Sequence, residues 1–258
     1  MEQSSEITAG INERMDLLTQ AGEILLMNGA ATYRVEETMR ILGETLGLPS
    51  VQIFVTPTGF TLQAAGPTHT VTQVRRITQI GVNMNRLEAV NRLSREAAEH
   101  ELTVPQIKKR LSAIASQPSV YPMWLVVVGV SLACGAFAVL LGGGWREFLA
   151  TVIGALFGML TRTWIRRAQL LPLMVTVIAA FVSTVGSWGA CKGLACTSPD
   201  VAPIAAVLQL VPGVPLVTTV IDLATGDILS GLVRGAYAIV IAAGIALGML
   251  LFLAWGIR

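Results

Sequence analysis

The chain has 258 residues, of which 53% are hydrophobic and 13% charged, and its mean hydropathy is +0.66; an ordinary soluble domain is excluded and a membrane protein indicated. The formal charge of +2 arises from basic residues scattered among acidic neighbours, so nothing points to nucleic acid. Most charged side chains precede Met123, which divides the chain into a soluble domain over residues 1–117, a linker over 118–122 and a membrane domain over 123–258.

Residues 1–10 are polar and acidic, and Gln20, Gly22 and Glu23 punctuate the first apolar stretch. That is no secretory signal, so the soluble domain is expected in the cytoplasm. Ile11, Met15, Leu18, Gly22 and Leu25 recur at helical spacing up to Met27, and Asn28-Gly29 is a left-handed stop. Thr32 is expected to cap a second helix with Glu36 and Glu37 in its first turn, ending near Gly47. The pattern then becomes β-branched and alternating at residues 51–56, 60–63 and 70–72, with turns at Pro57-Thr58-Gly59 and Gly66-Pro67. These predict three short antiparallel strands. Helices resume over 83–100 and 104–116, giving a two-layer α+β domain.

The membrane domain divides into five candidate spans, 123–141, 148–163, 170–188, 201–221 and 237–257, each near the ~20 residues that cross a bilayer. With the N-terminal domain cytoplasmic, Lys108, Lys109, Arg110, Arg162, Arg166, Arg167 and Arg234 face the cytoplasm. Arg146, Lys192 and Arg258 face outside, as does the C-terminus. Cys134 lies within the first span as a small packing residue, whereas Cys191 and Cys196 share an outer loop where a disulfide is possible. Gly154-x-x-x-Gly158, Gly244-x-x-x-Gly248 and the series Ala179, Ser183 and Ser187 offer flat faces for helix packing; Ser183, Thr184 and Ser187 have a polar path as their alternative role.

The fourth span contains Val211-Pro212-Gly213-Val214-Pro215, which removes two backbone donors where a membrane helix needs them. In secondary transporters such breaks hold substrate, the new half-helix turning its positive end to an anion. The substrate site is therefore expected at Gln209, Pro212, Gly213, Val214, Pro215 and Thr218, with a carboxylate meeting the donors at Gly213 and Val214. Asp222 and Asp227 are the candidate proton-coupling residues, and a plain packing kink is the alternative. Arg234 either neutralises one of these acids or holds its loop inside.

An enzyme is not expected. His69 and His100 lack a metal-ligand spacing, no nucleophile–base pair stands out, and no cofactor motif is present. No second proline-broken segment matches the first, which implies a partner.

Leu25-Leu26-Met27-Asn28-Gly29-Ala30 with Arg34-Val35-Glu36-Glu37, then Thr56-Pro57, then Gly81-Val82-Asn83-Met84-Asn85, resembles the N-terminal domain of the threonine/serine exporter family. Val211-Pro212-Gly213-Val214-Pro215 with Asp222 and Gly226-Asp227 resembles that family's membrane signature. The resemblance implies five transmembrane helices, one broken, behind an α+β domain. It further implies the large component of a split exporter in the bacterial inner membrane, working with a small YjjB-like membrane partner. Succinate is the implied cargo, threonine or serine the alternative, and a proton or other ion the coupling species. A membrane-anchored regulatory protein without a transport path is the reading from another class.

Overall fold

The structure is a computed structural model that describes residues 2–48, 50–65, 70–78, 81–118, 120–165 and 170–256. The turn expected at Gly66-Pro67, His69, Arg166, Arg167 and Arg258 lie outside the described residues. The chain forms two compact units, one of Met1–Val120 with Val214–Gly235 and one of Tyr121–Gly213 with Ala236–Arg258.

In the first unit, α1 (Glu2–Met27) packs on α2 (Thr32–Thr45), and a three-stranded sheet of β1 (Gln52–Thr56), β2 (Gly59–Ala65) and β3 (Thr70–Arg76) follows. The sheet is antiparallel in the order β1-β2-β3, with Val55 opposite Phe60 and Leu62 opposite Gln73. The alternation turns Val55, Phe60, Leu62 and Ala64 inward, where they meet Met15, Leu18 and Leu25 of α1 and Val35, Met39 and Leu42 of α2 in one core. Helices α3 (Met84–Glu99) and α4 (Val104–Ser116) close it with Leu87, Val90, Leu93, Ile107 and Leu111. Each large side chain fully buried there contributes roughly 2 kcal/mol. Thr103 and Gln106 form a reciprocal capping box that starts α4.

Two local expectations need correction. Thr32 is the first helical residue of α2 and not its cap; the cap position is Ala31, which offers no side-chain acceptor. Glu36 and Glu37 consequently fall in the second turn, and no acid stands in the first. Glu36 instead accepts from Val55 N at 3.2 Å, tying α2 to the sheet.

The second unit contains α5 (Met123–Leu140), α6 (Trp145–Ile165), α7 (Pro172–Leu194), α8 (Val201–Ala206) and a 3-10 turn, Val207–Leu210, with the C-terminal part of α10 (Ile228–Gly256). The helix α9 (Gly213–Thr225) begins at the end of this unit. Four of these helices, α5, α6, α7 and α10, are long and apolar enough to cross a membrane, and the pair 201–210 and 213–225 makes a fifth if counted as one broken span. α7 runs on to Leu194, beyond the expected 188, and α10 begins at Ile228 rather than near 237. Arg234 therefore lies inside a helix and not in a loop.

Glycine sets the helix spacing in this unit. A Cβ at Gly154 would lie 2.6 Å from Ser183 O, and one at Gly158 would overlap Ser183 Oγ, so α6 and α7 meet at backbone distance. Gly248 approaches Val177 O of α7 in the same way. Thr151, Thr184 and Ser187 turn their hydroxyls back onto carbonyls of their own helices, at 2.7, 2.8 and 2.8 Å, which satisfies them without water. Many remaining side chains, such as Trp124, Phe137, Leu140, Trp164, Ile239 and Leu251, are apolar and exposed, as a lipid-facing surface requires.

Candidate functional site

Val211 is extended and Pro212 has no N–H, so the helix before them cannot continue. The chain restarts as α9, where Thr218 and Thr219 bond back to Val214 O and Pro215 O at 2.9 and 2.7 Å. Val214, Thr218 and Asp222 recur every four residues and share one face of the helix. The helix ends in a paired-carbonyl turn: Gly226 at φ +93 donates to Leu223 O, and Asp227 N donates to Asp222 O at 2.8 Å. The reversal lays α10 against α9, with Gly231 on Leu223 and Gly235 on Thr219. Arg234 thus returns to the level of Asp222.

Asp222 is completely buried. Its Oδ1 accepts from Thr32 N at 2.9 Å, and its Oδ2 lies 3.0 Å from Arg234 Nε. Arg234 Nη2 donates to Ala30 O at 2.8 Å, while Nη1 reaches Thr218 Oγ1 only at 3.5 Å. The Nε and Oδ2 atoms are close but misaligned, so the pair is an ionic contact and neither atom completes a hydrogen bond. The cap that α2 lacks in its own sequence is supplied by Asp222, 190 residues away, whose negative charge suits the positive end of that helix.

The turn held in this way is built from the residues that carried the family resemblance. Gly29, at φ +90, adopts a left-handed conformation that a side chain would strain, and a Cβ there would meet Gly81 O at 3.2 Å and Val214 Cγ1 at 3.6 Å. Gly81 N donates to Met27 O, Asn83 N to Asn28 O, and Asn83 Oδ1 caps α3 at Arg86 N. Residues 25–34, 81–85 and 214–234, remote in sequence, meet around one buried ion pair.

The expected substrate residues are distributed differently. Val214, Pro215, Thr218, Asp222 and Asp227 belong to the first unit, whereas Gln209, Pro212 and Gly213 belong to the second. Of the two donors expected to meet a substrate carboxylate, Gly213 N already donates to Val211 O at 2.9 Å. Asp227 is half-buried and accepts from the Thr225 hydroxyl at 3.3 Å.

In the second unit Gln209 Nε2 donates to Ala155 O at 2.8 Å and to Ser183 Oγ and Ala206 O at 3.2 Å. The two carbonyls fix which end of the amide is nitrogen, and its buried Oε1 meets no donor among the described residues. Ser183, Thr184 and Ser187 are all buried, Thr184 and Ser187 bonding within α7, and Cys134 is a buried free thiol. Cys191 and Cys196 are joined in a disulfide.

One functional-looking group escaped sequence reasoning. Glu147 is buried and accepts from Gly144 N at 2.8 Å, Ser198 N at 2.9 Å and the Thr197 hydroxyl at 3.1 Å, which caps α6 and anchors the loop after the disulfide. Its signal was Gly144 three residues before a glutamate. Arg234 pairs with Asp222, one of the two roles the sequence left open for it. No cluster of three or more metal-ligating side chains exists among the described residues.

The family model described as "Putative threonine/serine exporter" matches residues 16–255. The "Probable succinate transporter subunit YjjP" of Escherichia coli is 33% identical over 245 residues, covering 94% of each chain, and that of Klebsiella aerogenes is 32% identical over the same share of each. The "Probable threonine/serine exporter" of Mycobacterium tuberculosis is 27% identical over 93% of this chain but only 45% of its own length. No solved structure matches the chain. With nearly its whole length matched and its apolar helices in place, this membrane protein belongs to the threonine/serine exporter family.

Proposed function

We propose that the chain is the large subunit of a two-protein secondary exporter that moves small carboxylates, succinate first among them, across the bacterial inner membrane. The carrying observation is coverage: the relatives named as succinate transporter subunits match over 94% of both chains, whereas the relative named as a threonine/serine exporter is about twice as long. A chain of the shorter kind takes its remaining spans from a small YjjB-like partner. In this reading the broken segment is one of five spans, the N-terminal domain is cytoplasmic and the C-terminus lies outside. An ion gradient drives export, with Asp222 and Asp227 as the proton-carrying acids and the Val214–Thr218 face of α9 meeting cargo.

Threonine or serine is the second reading, favoured by the family description itself. Its ammonium group needs a carboxylate partner. Asp222 is committed to Arg234 and Thr32, so Asp227 is the acid left to supply it. Efflux from cells lacking their own exporters, preloaded with labelled succinate or threonine, separates the two. Succinate leaving only when both chains are produced supports the proposal; threonine leaving instead replaces the cargo; neither leaving, with both chains in the membrane, rejects it.

A further inference from the structure

A guanidinium carries five N–H donors in a planar fork that fits a carboxylate edge to edge. Arg234 uses that fork poorly: one good bond to Ala30 O, one at the 3.5 Å limit to Thr218, and a misaligned Nε beside Asp222. Its side chain keeps 11% of its surface exposed, while that of Asp222 is wholly enclosed. We propose that Arg234 is the receptor for a cargo carboxylate, which takes the place of Asp222 on the guanidinium while Asp222 takes up a proton. This rests on the exporter reading above.

Charge balance supplies the coupling. Asp222 and Arg234 together are neutral, and an anion added to that buried pair leaves an uncompensated negative charge at low dielectric. A proton on Asp222 removes it. Protonated Asp222 still accepts from Thr32 N through Oδ1. Besides Arg234, the charged group near Asp222 is Asp227 in the turn, and Glu36 on α2 lies within electrostatic reach of Asp227. Cargo and proton therefore bind together and leave together.

The test is calorimetric titration of succinate into the chain co-produced with its small partner, in lipid nanodiscs, using buffers of different ionisation enthalpy, with the neutral diamide succinamide as control. The expected result is uptake of about one proton per succinate and no binding of the diamide. D222N is expected to bind succinate without proton uptake. D222N/R234Q, which replaces the ion pair by two neutral amides, is expected to lose at least about 30-fold in affinity. R234K keeps the charge without the fork and is expected to lose about tenfold, which covers the case in which the double variant does not fold. Wild-type affinity in a folded D222N/R234Q or in R234K, or succinate binding to the wild type without proton uptake, overturns the inference. If those variants also export succinate normally, the exporter reading stands alone. A wild-type pair that exports no succinate removes both.

Discussion

Asp222 and Arg234 form an ion pair in which neither group makes a second salt bridge among the described residues. Removing one partner is therefore expected to cost far more than removing both. Asp222→Ala should destabilise the protein by about 3–5 kcal/mol, and the double Asp222→Ala, Arg234→Ala by clearly less. Thermal melting of the single and double variants in detergent checks this; additive effects would show that the pair is not coupled. A second residue-scale expectation concerns Gly158, where a Cβ would overlap Ser183 Oγ and approach Gln209 Nε2 to 2.9 Å. Gly158→Ala should cost about 1–3 kcal/mol, whereas Gly129→Ala, with nothing within 4 Å of its new Cβ, should be neutral or mildly stabilising. Equal melting temperatures for the two would contradict the close α6–α7 approach.

Elements in the first unit are joined by single polar side chains. Glu36 sits between α2 and β1, and burial, partly offset by its bond from Val55 N and reinforced by Asp227, holds its pKa above the ordinary 4.5. Its folded-state pKa thus exceeds the unfolded one, so its stabilising contribution is full below about 4.5 and is lost as pH rises through the folded value. Glu36→Gln keeps an acceptor for Val55 N. It should flatten the decline in stability above pH 4.5, and an unchanged pH profile of melting would contradict the assignment. In the second unit, Glu147 holds α6 to the loop carrying Thr197 and Ser198. Glu147→Ala leaves three donors without an acceptor and should cost about 3 kcal/mol or more, read as a lowered melting temperature with faster amide exchange at Ser198. Unchanged exchange there would show that the carboxylate is not the anchor.

Which elements form was largely legible from periodicity and breakers. The alternation of Val55, Phe60 and Leu62, the Asn28-Gly29 stop and the Pro212 break each act through neighbours a few residues away. What was not legible acts at long range. Nothing near Thr32 announces that its helix is capped by Asp222, because the two are 190 residues apart, and nothing near Arg234 announces Ala30, 204 residues away. The start of α10 was misplaced for a related reason: the arginine looked like a loop residue, since a charge enters an apolar helix only when a partner is waiting. The bond from Gly213 N to Val211 O, within the break itself, has no sequence signal either.

At the scale of the whole molecule, the family membership and the length shared with the succinate transporter subunits make a two-chain exporter the reading to test. The most direct measurement uses purified chain, with and without its small partner, in proteoliposomes loaded with labelled succinate and given an outward proton gradient. Succinate leaving only when both chains are present, and faster with the gradient than after its collapse, is the expected result. Efflux from this chain alone at the same rate, or none from the pair despite correct insertion, would contradict it.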